Sequence, residues 1–243
     1  MPTDLRQLPP PGAVLFDLDG TLVDTVDTRI AAWLETLDEA GLPTTRERLA
    51  PLIGIDGRRL ARAVAALAGV DLDDERAEAI DRRSGEVYAR LNNAPTALPG
   101  VARLVDVLNA RQIAWAIATS SRAAQVAASV AALDLTVTPR IVDASHVEHA
   151  KPAPDLLLYA AARLDVAPAR CWYVGDSIWD VVAAIAAGMI PIGVTAGAAV
   201  DRATLVGAAA GAVVESLDEI ADVLGEDPAL ATEPQDGAPG PGP

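Results

Sequence analysis

Val14-Leu15-Phe16-Asp17-Leu18-Asp19-Gly20-Thr21-Leu22-Val23-Asp24 is an apolar run that ends in two carboxylates one residue apart, followed by a glycine. The run reads as a buried strand. In an extended chain alternate residues share a face, so Asp17 and Asp19 converge near the strand's carboxyl end, where parallel α/β sheets place their ligands. Two acids at one strand tip repel each other unless a proton or a cation intervenes. A magnesium ion meets that need, because hard divalent cations prefer carboxylate oxygens. One acid is then free to act as a nucleophile toward phosphorus. Read alone, the stretch also fits an N-capping Asp at a strand-to-helix turn, which accounts for one acid but not for two.

Outward from this strand, two more segments repeat the pattern of chemistry at the end of an apolar run. Ile113-Ala114-Trp115-Ala116-Ile117-Ala118 closes on Thr119, and Cys171-Trp172-Tyr173-Val174 closes on Gly175-Asp176-Ser177-Ile178-Trp179-Asp180. Between them stands Lys151-Pro152-Ala153-Pro154-Asp155. With Asp17-Leu18-Asp19-Gly20-Thr21 as the first motif, these four in order resemble the haloacid dehalogenase-like hydrolase superfamily over about residues 12 to 225. The likeness is to its phosphatase branch with a helical cap, which includes phosphoglycolate phosphatase-like and β-phosphoglucomutase-like members. The resemblance implies Asp17 as nucleophile, Asp19 as general acid/base, and Thr119 and Lys151 as catalytic residues binding the transferring group. It also implies Mg2+ held by Asp17, Asp176 and the Asp19 backbone carbonyl, with Asp180 supporting the metal or Lys151. Dehalogenase and phosphonate-cleaving relatives lack the second acid, so Asp19 favours phosphate esters.

A chain of 243 residues with 51% hydrophobic content but 3% aromatic builds its core from Ala, Val, Leu and Ile, which suits helices packed on a parallel sheet. A net charge of −15 argues against nucleic acid or an anionic membrane as partner, and leaves any phosphate to be captured by local groups. The single cysteine, Cys171, reads as an inert core thiol. Neither a signal peptide nor an apolar run of about 20 residues is apparent, so the expected setting is a reducing cytoplasm.

Residues 1–10 read as a loose polar arm. Helical spacing covers 26–40, 45–52, 56–68 and 73–92, and a further helix runs from Val101 after Pro99-Gly100. Strands are expected at 114–118, 139–142, 171–174, 190–194 and 212–214, alternating with helices at 122–132, 153–164, 178–187 and 201–207. Right-handed crossovers make this a doubly wound parallel sheet. The fold class is therefore α/β: a Rossmann-like core formed by 1–24 and 96–225, with an all-helical cap inserted at 25–95. Residues 226–243, rich in Pro, Gly, Ala and acids, read as a disordered tail.

Thr119, Ser120 and the amides at the start of helix 122–132 are expected to bind the phosphoryl group, and a simple helix cap at Ser120 or Ser121 is the alternative, compatible with it. His146 and His149 read as loop histidines rather than a metal pair, since no third soft ligand lies nearby. In the cap, Gly54-Ile55-Asp56-Gly57-Arg58-Arg59 places glycines beside two arginines. Arg58 and Arg59 are either a grip on the substrate's distal group or helix-surface charges, and Arg29 carries the same question. The function expected is a magnesium-dependent phosphatase acting on a small phosphorylated metabolite, such as a sugar phosphate or phosphoglycolate, through an aspartyl-phosphate intermediate. The alternative is a phosphosugar mutase of the β-phosphoglucomutase type. The expected assembly is a monomer or a homodimer.

Overall fold

The computed structural model describes residues 3–226. The chain enters through β1 (Ala13–Phe16) and a two-residue strand, β2 (Val23–Asp24). Four helices follow: α1 (Val26–Glu39), α2 (Arg46–Leu49), α3 (Gly57–Leu67) and α4 (Asp74–Leu91). The short β3 (Thr96–Ala97) and α5 (Val101–Ala110) bring the chain back to the sheet. Thereafter strands and helices alternate: β4 (Ala114–Ala118), α6 (Ala123–Ala132), β5 (Ile141–Val142), α7 (Asp155–Leu164), β6 (Cys171–Gly175) and α8 (Ile178–Ala186). The last elements are β7 (Ile190–Val194), α9 (Arg202–Gly207), β8 (Ala212–Val214) and α10 (Leu217–Gly225).

Six strands form one sheet in the order β5-β4-β1-β6-β7-β8, every pair parallel. The chain winds outward from β1 to one edge through β4 and β5, then crosses back to β6 and winds to the other edge. The switch point, where such sheets hold ligands, therefore lies at the carboxyl ends of β1, β4 and β6. All four residues of β1 are buried because the pleat feeds two cores at once. Val14 and Phe16 face α5, α6 and α10 through Leu104, Val126 and Ile220. Ala13 and Leu15 face α7 and α8 through Leu157, Ala160 and Ala183. Each fully buried Leu or Phe contributes about 1.5–3 kcal/mol of transfer free energy. This is why β1 reads as an unbroken apolar run rather than an alternating one.

Helices α1–α4 pack round a separate cluster that includes Ile30, Trp33, Leu37, Leu60, Val64 and Ile80. This all-helical cap joins the sheet domain through β2 and β3, which pair antiparallel (Val23 with Ala97, Asp24 with Thr96). The ribbon went unread in the sequence because two-residue strands carry no periodicity. Elsewhere the expected boundaries shift by small amounts. The helix expected at 45–52 is α2 followed by a 3-10 turn at Ala50–Leu52, where Pro51 cannot continue an α-helix. The strand at 139–142 narrows to Ile141–Val142. The N-terminal arm is not loose over its described part: Leu5 is buried in the sheet core, and the Trp172 indole donates to Pro9 O at 3.0 Å. Of the tail, Glu226 pairs with Arg6, and residues 227–243 lie outside the described residues. Among the described residues no helix is long and apolar enough to cross a membrane.

Candidate active site

Asp17 follows directly on β1, its amide still bonded to Val174 O of β6 at 2.9 Å, so the strand ladder fixes where its side chain starts. Its Oδ1 accepts from Lys151 Nζ at 2.7 Å, and the same ammonium donates to Asp180 Oδ1 at 2.7 Å. Lys151 is fully buried, with Asp17 and Asp180 beside it. Burial alone would lower this lysine's pKa, but the two carboxylates outweigh it and hold the ammonium well above its ordinary value. Burial pushes Asp17 up to about 7, against the pull of Lys151 and with a push from Asp180.

Asp176 directly follows β6 and accepts from Thr21 Oγ1 at 3.0 Å. Burial, then Asp180 and Asp17, raise it well above the carboxylate range. Gly20 lets the chain turn beneath it: φ is +83°, and a Cβ there would stand 2.3 Å from Asp176 Oδ2. Asp180 lies one turn into α8 and completes a capping box with Ser177, whose hydroxyl donates to Asp180 Oδ2 at 2.6 Å. The Tyr173 hydroxyl lies 3.2 Å from Asp180 Oδ1 and 2.9 Å from Ala118 O. Asp17, Asp176 and Asp180 thus present carboxylate oxygens within 4.8 Å of one another, a group of the hard-donor kind that could hold a metal ion.

Asp19 leans the other way, toward the cap. Its oxygens accept from Thr25 (2.8 Å), Arg29 (2.6 Å), Tyr88 (2.8 Å) and Ser121 (2.8 Å). Burial would raise this carboxyl, yet Arg29, Thr25 and Tyr88 together hold it below its ordinary value. The Arg29 guanidinium also stacks 3.5 Å from the Tyr88 ring centroid and bonds Ser121. Tyr88 is pushed up to about 12, chiefly by burial and then by Asp19.

Thr119 closes β4, with its amide bonded to Val142 O and its hydroxyl accepting from the Ser121 amide at 3.2 Å. Ser120 Oγ is buried without a hydrogen-bond partner. Asp17, Asp19, Thr119, Ser120 and Lys151 all line one cavity, roofed by Gly54, Ile55 and Gly57 of the cap. The cap loop is tied down through Asp56 N, which donates to Lys151 O at 2.9 Å. The loop thus reaches the cavity through backbone and Ile55. Arg58 does not line that cavity: it bonds Asp56 at 3.1 and 3.3 Å, and Arg59 is exposed on α3. His146 and His149 sit on exposed loop beside Asp143 and Asp155.

Reasoning from sequence missed Tyr88, Ser121, Tyr173, Asp81 and Gln125. Ser121 carries a faint signal as the end of the Thr119-Ser120-Ser121 run. Tyr88 and Asp81 carry none, since helical spacing marks them only as inward-facing.

Residues 14–194 match the haloacid dehalogenase-like hydrolase family. The fructose-1-phosphate phosphatase YqaB of Escherichia coli is 36% identical over 180 residues, spanning 72% of this chain and 92% of that protein. The β-phosphoglucomutase of Bacillus subtilis is 31% identical over 191 residues, spanning 76% and 84%. Among solved structures, a hydrolase from Pseudomonas syringae superposes with a TM-score of 0.82 at 33% identity, over 86% of this chain and 96% of that one.

Proposed function

The chain belongs to the haloacid dehalogenase-like hydrolases, and on that premise we propose that it is a magnesium-dependent phosphatase hydrolysing a small phosphate monoester through a phosphoryl group carried on Asp17. The observation that carries this reading is the buried group in which three carboxylates, Asp17, Asp176 and Asp180, face one ammonium, Lys151. Such an excess of buried negative charge fits a divalent cation. Asp180 has both oxygens engaged, Oδ1 by Lys151 and Tyr173 and Oδ2 by Ser177. Asp17 and Asp176 each keep an oxygen without a hydrogen bond, so they would hold the ion, with the Asp19 carbonyl added by resemblance. When bound, magnesium supplies positive charge to the phosphoryl oxygens and to Asp17.

The chain's own residues divide the remaining work. Asp17 forms its oxygen–phosphorus bond as the ester oxygen leaves with the electron pair. Lys151, Thr119, Ser120 and the first amides of α6 hold the phosphoryl oxygens while charge moves across them. Asp19, once it has taken up a proton from solvent, protonates the departing oxygen through Oδ1, which must exchange its bonds to Thr25 and Tyr88 for the substrate while Oδ2 keeps Arg29. It then takes a proton from the water that cleaves the aspartyl phosphate and releases orthophosphate. The ionised state in which Arg29 holds it suits this second half. The cap excludes bulk water from both steps, and β2–β3 is the ribbon about which it would move.

The test is release of inorganic phosphate from a panel of phosphate monoesters. Turnover that requires Mg2+ and disappears in Asp17→Asn supports the reading. Metal-independent turnover, or turnover surviving in Asp17→Asn, overturns it.

A further inference from the structure

The cap side of the cavity is polar without being cationic. Its lining includes Asp81, Ser84 and Gln125 beside Trp33 and Leu60, and among the described residues the cations lining the cavity are Arg29 and Lys151. Both are committed, Arg29 to Asp19 and Lys151 to Asp17 and Asp180. Arg58 and Arg122 line an adjoining cavity that shares Gly57, Asp81 and Ser120 with this one, and both are paired. Arg122 bonds Glu78 (2.7 Å) and Asp81 (3.0 Å), and Arg58 bonds Asp56. Two guanidinium groups thus meet three carboxylates, Asp56, Glu78 and Asp81, and that rim carries net negative charge.

Two glycines make room for the polar groups. Asp81 Oδ2 accepts from Arg122, while its Oδ1 stands where a side chain on residue 57 would be, 1.8 Å from a Cβ built on Gly57. Gln125 Oε1 accepts from the Arg122 amide, while its Nε2 lies 2.0 Å from a Cβ built on Gly85. Any larger residue at either position would displace the polar atom from the wall. Asp81 and Gln125 therefore line the same space from opposite sides of the core–cap seam, Asp81 Oδ1 set against Gly57 and Gln125 Nε2 against Gly85, each side chain pinned through its other atom to Arg122. An acceptor and a donor so placed match hydroxyl groups, each of which can donate to Asp81 and accept from Gln125.

From this wall we infer that the cap half of the site recognises an uncharged, hydroxyl-bearing leaving group, that of a polyol or sugar monophosphate. It disfavours esters carrying a second anion, whether a carboxylate or another phosphate. Asp81 and Gln125 are the specificity-determining pair. A hydroxylated substrate satisfies both, whereas an anionic group meets the carboxylate with no free cation to compensate. The inference rests on the phosphatase reading above.

The full-length chain with Mg2+ would be assayed for kcat/KM on p-nitrophenyl phosphate, fructose 1-phosphate, sorbitol 6-phosphate, phosphoglycolate and glucose 1,6-bisphosphate. We expect at least one of the two hydroxylated monophosphates to exceed phosphoglycolate and the bisphosphate at least tenfold. Asp81→Asn, which keeps the shape and removes the charge, should narrow that ratio at least threefold. Gln125→Ala should lower it through the hydroxylated ester, and carries the test if Asp81→Asn fails to fold. Phosphoglycolate or the bisphosphate turned over as well as the hydroxylated esters, beside active p-nitrophenyl phosphate hydrolysis, would overturn this inference and leave the phosphatase reading standing. A ratio unchanged in both variants would do the same. An enzyme inert toward every ester, p-nitrophenyl phosphate included, would sink both.

Discussion

At the strand ends the Lys151 ammonium lies 2.7 Å from both Asp17 and Asp180, shut away from water, whereas at the cap rim Arg58 and Arg122 pair with Asp56, Glu78 and Asp81 while 38% and 43% exposed. The chemistry on the two sides differs accordingly. Buried, uncompensated charge is costly to disturb, so the sheet side tolerates almost no change. Exposed pairs are worth little, so the rim is free to vary. What matters on the cap side is instead the few polar atoms turned inward. In the proposed function the floor of the cavity performs the reaction and its roof selects what reacts.

The comparison breaks most sharply at Asp17. Asp17→Asn should lower kcat by about a thousandfold or more, since it removes the covalent route. The fold should survive, because Lys151 keeps Asp180 as partner. Activity within tenfold of wild type would end the nucleophile assignment.

Lys151→Met removes the one cation of the buried group and leaves its carboxylates unpaired. Breaking a buried pair in this way costs about 3–5 kcal/mol, or roughly 10 °C in Tm for a chain of this size. A calorimetric Tm equal to wild type would show that the pair is not structural. By contrast, Arg58→Ala at the rim should shift Tm by no more than about 1–2 °C, within the range of ordinary surface changes.

The metal reading has a signature in pH. Burial raises Asp17 to about 7 and Asp176 well above the usual range, so folding takes up protons that the unfolded chain, with ordinary carboxylates, does not hold. That contribution to stability is fullest at low pH and falls as pH rises through the folded value. Asp19, held low, titrates below this window. In EDTA, Tm should therefore rise by about several degrees as pH is lowered from 8 to 6. Saturating Mg2+ should raise Tm at pH 8 and flatten the dependence, by about 2.7 kcal/mol at a hundred times Kd. A Tm indifferent to Mg2+ at every pH would remove the ion from Asp17 and Asp176.

The smallest effect belongs to the cap arginines. Arg58 is turned to Asp56 and Arg59 to solvent, so Arg58→Ala and Arg59→Ala should each change kcat/KM by less than about threefold for any substrate. A tenfold rise in KM from either would mean that the cap loop rearranges around substrate to bring that arginine in.

Asp17, Thr119 and Asp176 were legible in the chain because each sits at the end of an apolar strand, and Lys151 because it precedes Pro152 in the loop between β5 and α7. Strand ends in a doubly wound sheet converge on one edge whatever the packing between them. The same logic read α1, α3 and α4 as helices from spacing alone, and missed β2 and β3 because two residues cannot show a period. Arg58 and Arg59 show the limit: their neighbourhood to the glycines of the cap loop is visible in the sequence, but the direction of α3 is not.

The sequence by itself determined the fold class, the order of its strands' chemistry and the residues that carry charge to the switch point, because these follow from local periodicity and from hydrophobic burial. Only the tertiary structure decided which partners those charges take. Asp19 turns to Arg29, Tyr88 and Ser121, which are 10, 69 and 102 residues away along the chain. Asp81 and Gln125 face one cavity across the seam between cap and core. Contacts of that separation depend on how two independently packed helical and sheet layers meet, and no local pattern in the chain encodes the meeting.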